Sequence, residues 1–134
     1  MIYGIGTDIV QLSRIREVYM RNGEHFARKI LGQRELNVFY QRMALAEEKG
    51  IRYLATRFAA KEAFSKAIGT GIRAPMTWHN METLNSVLGK PEVAVSGTLE
   101  QWMTANRLRG LITLSDEAHY VIAFALVETS SAQI

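Results

Sequence analysis

Apolar positions along this chain change period about halfway. Residues 2–7, Ile2-Tyr3-Gly4-Ile5-Gly6-Thr7, mix apolar and small side chains over a length that predicts a short strand. Ile9, Leu12, Ile15 and Tyr19 then recur at helical spacing, with Gly23 as the stop. A second helix is expected over 33–43, where Leu36, Phe39 and Tyr40 share one face. The longest helical signal covers 51–68: Leu54, Phe58, Ala59, Ala63 and Ile68 repeat, no proline interrupts, and Gly69 closes it. Pro75 marks a loop, and beyond it the period falls to two. Strands are predicted over 81–87 and 92–96, joined by a turn at Leu88-Gly89-Lys90-Pro91, followed by a short helix over 98–106. The clearest strands, 111–115 and 120–127, flank Asp116-Glu117-Ala118-His119. Helices first and an antiparallel meander second predict an α+β fold, not a doubly wound parallel sheet.

Composition narrows the class. At 134 residues with 48% apolar content, the chain is the size of one domain, expected to span 1–134. The absence of cysteine excludes disulfides, a cysteine nucleophile and thiolate metal sites. No apolar run approaches the ~20 residues that span a bilayer, and the start of the chain lacks the basic residues of a signal peptide. A soluble cytoplasmic domain is expected.

Charge is unevenly placed. Residues 1–73 carry 13 Lys and Arg against 7 Asp and Glu, a balance of +6, while residues 74–134 carry 3 against 6, a balance of −3. Such a field is either a solvated face or a lure for an anionic cofactor, an acidic protein or nucleic acid. No long basic run, aromatic RNA-binding motif or helix-turn-helix supports nucleic acid.

Candidate chemistry gathers on the long helix. Arg57, Lys61 and Ser65 form one row at spacing four, Phe58, Glu62 and Lys66 the adjacent row, and both lead to Gly69-Thr70-Gly71. Glu62 and Lys66 are either a surface ion pair or part of a cluster that receives an oxygen-rich anion. In the second case the glycines permit close backbone approach to phosphate, although no Walker A lysine follows them. Asp8 either caps a helix starting near Ile9 or joins Glu62 around Mg²⁺, which takes few protein carboxylates. His25, His79 and His119 stand alone, without zinc or di-iron spacing, and no serine-hydrolase elbow is present.

Together, Gly6-Thr7-Asp8-Ile9-Val10 and the run from Arg57 to Ile72 (RFAAKEAFSKAIGTGI) resemble the two signatures of the holo-acyl-carrier-protein synthases, the small trimeric branch of the 4′-phosphopantetheinyl transferases. Gly89-Lys90-Pro91 and the loop and strand from Ser115 to Val127 fit as well, so the resemblance spans essentially the whole chain. It implies a long helix packed on a small antiparallel sheet. It also implies transfer of the phosphopantetheine arm of coenzyme A to a serine of an acyl carrier protein, releasing adenosine 3′,5′-bisphosphate, in support of fatty acid biosynthesis. By motif position, Asp8 and Glu62 would hold Mg²⁺ against the pyrophosphate, and Lys66 would neutralise charge on it. Arg57, Phe58, Lys61, Ser65 and the Gly69-Thr70-Gly71 backbone would bind coenzyme A, with Pro91 near the adenine. Arg14 and Arg21 would meet the acidic carrier. The resemblance further implies a homotrimer with sites at subunit interfaces, and no membrane or nucleic acid partner. Many relatives have His where this chain has Asp116. The general base is open between Glu62, Glu35 and a metal-bound water.

Overall fold

The computed structural model describes residues 1–130. Its elements are β1 (Ile2–Gln11), α1 (Leu12–Asn22), α2 (Glu24–Ile30), α3 (Gln33–Leu45), α4 (Glu47–Ile68), β2 (Met81–Asn85), β3 (Pro91–Val95), α5 (Gly97–Ala105), β4 (Leu108–Asp116) and β5 (Tyr120–Thr129). β5 runs antiparallel between β1 and β4 in a three-stranded sheet, and β2 pairs with β3 in a separate hairpin. The α+β expectation holds.

α4 is the spine of the fold. It packs on β1, β5, α3 and β2 and is buried almost all round, as a helix with apolar residues on several faces must be. The helix lies very close to β1, and glycine makes this approach feasible. A Cβ on Gly4 would sit 2.1 Å from the Ala67 carbonyl oxygen, and one on Gly6 2.1 Å from that of Ala63. β5 meets the same helix with Val121, Ala123, Ala125 and Val127, all buried. Strand alternation sends the other residues to the outer face. There Tyr3, Ile5 and Ile9 of β1 join Leu111 of β4 and Tyr120 and Ile122 of β5, all exposed.

Four elements differ from the expectations. β1 does not stop at Thr7 but continues to Gln11, so Asp8 is a strand residue paired with Ala123. Alternation persists through Gly6, Asp8 and Val10; the single acid hid it. α1 therefore starts at Leu12 with Gln11 at its N-cap, which removes the capping role considered for Asp8. α2 was not anticipated, because seven residues with Ala27 and Ile30 buried carry too short a period. α4 begins at Glu47, a turn earlier than its apolar pattern. Its Gly50 packs so tightly that a Cβ there would lie 2.1 Å from the Met43 Sδ.

Candidate active site

Asp8 reaches the site because β1 crosses α4. Its side chain is on the helix-facing side of the strand, 17% exposed. Glu62, half-buried, lies on the wall that α4 presents to the same place. Both carboxylates line one hollow of about 320 Å³, closed on its other side by Arg14, Ile15 and Val18 of α1 and Phe26 of α2. Phe58 completes the lining and stacks on Trp78 at 5.4 Å between ring centres. The hollow is thus apolar along α1 and acidic at one end.

The two acids feel each other's charge. The Glu62 carboxyl is pushed above its ordinary range, first by burial, then by the negative charge of Asp8, with Lys66 pulling the other way. Lys66 Nζ lies 3.2 Å from Asp8 Oδ1 and donates to the Thr7 carbonyl at 2.9 Å. Among the described residues no group of three or more acids and histidines forms a metal cage. Two neighbouring carboxylates on an open hollow suit Mg²⁺, which takes one or two carboxylates and completes its shell with water and phosphate.

The other row of α4 faces elsewhere. Lys61, expected at the coenzyme, is fully buried and ion-paired to Glu35 at 2.7 Å. It also donates to the Met81 carbonyl. Ser65 is 1% exposed and its hydroxyl donates back to the Glu62 carbonyl. In this structure α3 and β2 cover Lys61 on that helix row. Burial also disqualifies Glu35 as a general base: its oxygens accept from Gly32 N, Thr83 N and Lys61, and it is wholly enclosed. Glu82 braces the same corner, accepting from the backbone N–H groups of Arg34 and Glu35 and pairing with the Arg34 guanidinium.

Gly69 ends α4 in the left-handed region at φ 85°, with Gly71 at φ 68°. A Cβ on Gly69 would meet nothing, so that glycine is required by backbone conformation, not by close packing. Arg57 is 5% exposed and donates to the Thr83 carbonyl, Thr56 Oγ1 and Asn85 Oδ1. With Gly89 and Pro91 it lines a second hollow of about 240 Å³. Arg14 and Arg21 are exposed, two turns apart on α1, and neither is ion-paired among the described residues. Asp116 ends β4, where Arg52 holds it at 2.5 Å and also caps the Glu117 and Ala118 carbonyls. His119 is exposed in that turn and gives its carbonyl to Leu12 N. Sequence reasoning passed over Arg42 and Tyr53 beside Arg57. The i, i+4 spacing of Tyr53 and Arg57 was the one signal for them.

Fold and site together define a class, and comparison with known proteins gives the same one. Residues 4–125 match the 4′-phosphopantetheinyl transferase superfamily. The chain is 53% identical over 129 residues to a holo-[acyl-carrier-protein] synthase of Methylibium petroleiphilum, covering 96% of this chain and 98% of that protein. The crystal structure of the Neisseria meningitidis holo-[acyl-carrier-protein] synthase superposes with a TM-score of 0.88 at 44% identity, over 96% of this chain and all of that one. A Bacillus anthracis holo-(acyl-carrier-protein) synthase, solved in complex with CoA (3′,5′-ADP), superposes with a TM-score of 0.80 at 32% identity, over 97% of this chain and 99% of that one. This chain belongs to the holo-[acyl-carrier-protein] synthase family.

Proposed function

We propose that the protein transfers the 4′-phosphopantetheine arm of coenzyme A to a serine of an apo acyl carrier protein, releasing adenosine 3′,5′-bisphosphate. The observation that carries this reading is that Asp8 and Glu62 line one hollow, with Lys66 paired to Asp8. In the reaction the serine oxygen bonds to the phosphorus that carries the pantetheine. The pyrophosphate P–O bond breaks, and its electron pair leaves with the bisphosphate. Such a step asks the protein mainly for alignment and for positive charge where negative charge develops.

Asp8 and Glu62 are the residues that would hold Mg²⁺; once bound, the ion supplies charge and a template for the pyrophosphate oxygens. Lys66, half-exposed and paired with Asp8, brings an ammonium to the departing bisphosphate. Of the two side chains weighed as proton acceptors, Glu62 alone faces the hollow. Arg14, on its lining, and Arg21, further along α1, present unneutralised charge to an acidic carrier and should raise its association rate. Arg57, Pro91 and Gly89 offer a separate hollow to the nucleotide, and Phe58 lines the arm's path.

The two hollows lie apart around α4. That separation supports sites completed by a second copy. The apolar outer face of the sheet supports a homotrimer, since a lone chain rarely exposes so continuous a patch. No helix among the described residues is long and apolar enough to cross a membrane. A cytoplasmic place in fatty acid biosynthesis follows from the carrier as substrate.

The test is mass spectrometry of apo carrier incubated with the protein, coenzyme A and Mg²⁺, with and without EDTA. The expected product is a carrier heavier by one phosphopantetheine arm, lost on chelation; sedimentation of the same sample should give three copies. An unchanged carrier mass with several apo carriers would remove the reading.

A further inference from the structure

The turn between β4 and β5 has no apolar anchor: residues 115–120 are all exposed. One side chain of α4 holds it. Arg52 Nη1 donates to Asp116 Oδ1 at 2.5 Å and to the Glu117 carbonyl at 2.9 Å, and Nη2 donates to the Ala118 carbonyl at 3.0 Å. Its Nε donates at 2.9 Å to Glu48, one turn earlier on the same helix. The other oxygen of Glu48 accepts from Arg16 of α1. That bond, ahead of the charges of Arg16 and Arg52, pulls the Glu48 carboxyl below its ordinary range, with burial opposing.

The turn also reaches α1 by a second route. That helix has no side-chain cap and no acid in its first turn, so its leading N–H groups lack the usual acceptors. Leu12 N–H donates instead to the His119 carbonyl at 2.9 Å. The links close into a ring: Arg52 to the turn, the turn to Leu12, and Arg16 through Glu48 back to Arg52. An exposed ion pair alone is worth little, because ordering two long side chains offsets their attraction. In a ring each side chain is already ordered by its neighbours, so the links reinforce one another.

We infer that Arg52 is a positioning residue for the acidic carrier: through the turn and through Glu48 it fixes the start of α1 and so aims Arg14 and Arg21. This deepens the proposed function and rests on it for the identity of the partner. Arg14 and Arg21 are exposed, and among the described residues neither has an acid to hold its guanidinium. Their aim therefore depends on how α1 itself is held. In the proposed reaction the charges of the coenzyme are met from β1, α4 and the hairpin, so a loosened α1 tells first on the carrier. Arg52 and Asp116 also line the hollow offered to the nucleotide, whereas Glu48 lines neither that hollow nor the one with Asp8. Glu48 is thus the cleaner handle on the ring.

Two variants of the full-length protein separate aim from charge. Glu48→Gln removes an acid beside α1 and frees Arg16, so charge alone predicts a stronger pull on an acidic carrier. Arg52→Lys keeps its charge but loses the planar fork that serves three acceptors on the turn. The ring predicts the opposite of the charge argument. Both variants should raise KM for apo carrier about three- to fivefold, the upper end of one exposed ion pair, and KM for coenzyme A by less than about twofold. The double variant should lie within about twofold of the poorer single one, because both cut the same ring. Hydrogen exchange at the Leu12 amide should quicken in each. A carrier KM that falls in Glu48→Gln overturns the inference, as does a coenzyme KM that rises in place of the carrier's. A lowered melting temperature with both KM values unmoved reduces the ring to a structural brace and overturns it too. Calorimetric titration with apo carrier needs no turnover. Weaker binding by both variants upholds the ring even where the parent transfers nothing, a result that removes the transferase alone. A parent that transfers, with carrier binding alike in parent and variants, does the reverse.

Discussion

Lys61 and Lys66 stand on the same helix, each paired with one acid, and the two pairs do different work. Lys61–Glu35 is 2.7 Å long with both side chains fully enclosed, and the N–H groups of Gly32 and Thr83 and the Met81 carbonyl complete their hydrogen bonding. Lys66–Asp8 is 3.2 Å long, with Lys66 53% exposed and a second acid, Glu62, left unmatched beside it. The first pair ties α3, α4 and β2 together and has no capacity left for a ligand. The second is an incomplete charge balance that a cation or a phosphate can finish. Saturation, not residue type, separates the two pairs.

The largest effect should come from breaking the enclosed pair. Lys61→Met leaves Glu35 as a buried charge without its partner and should cost about 3–5 kcal/mol in a urea melt. Adding Glu35→Leu should recover only part of that, because Gly32 N–H and Thr83 N–H then lose their acceptor. A single-variant loss below about 1 kcal/mol, the level of a surface pair, would erase the contrast.

Next comes the unmatched acid. Glu62 has its carboxyl raised by burial and by Asp8, so the fold favours the protonated form. The stability this contributes is full below the ordinary glutamate range and is lost as pH rises through the raised value. In EDTA, Glu62→Gln should therefore be spared that loss and melt above the parent on the alkaline side. Mg²⁺ should stabilise the parent increasingly as pH climbs through the same window and leave the variant unmoved. Calorimetric scans against pH would measure both. A Mg²⁺ response that persists undiminished in Glu62→Gln would dissolve the metal assignment.

The smallest effect belongs to Lys66 itself. Lys66→Met removes an exposed pair and should change stability by less than about 1 kcal/mol. The same variant should lower turnover by about a hundredfold or more, the scale of losing one preorganised charge donor. A variant with lost stability and intact turnover would invert the comparison.

Much of the fold was legible because apolar spacing is a local property. α1, α3, α4 and the two late strands follow from it directly. α2 was missed because seven residues hold too little period to detect, and the end of β1 because an acid, Asp8, interrupts the apolar pattern. Such a conflict between pattern and residue marks a site. The apolar groove of Ile15, Val18 and Phe26 was partly visible, as Ile15 falls on the apolar face expected of the first helix. The Asp116 difference from many relatives also acquires a local meaning: here the carboxylate is occupied by Arg52.

The sequence alone determined the family, the helix-then-meander order and the acids and cations that could carry the chemistry, because motifs and periods are written in neighbouring residues. It could not say which side of α4 faces outward. Arg57, Lys61 and Ser65 form a row as regular as Phe58, Glu62 and Lys66, and spacing treats the two alike. Only packing decided between them, since burial depends on what α3, β1 and β2 cover. A lysine becomes a buried brace or an exposed, partly matched cation according to what its neighbours cover.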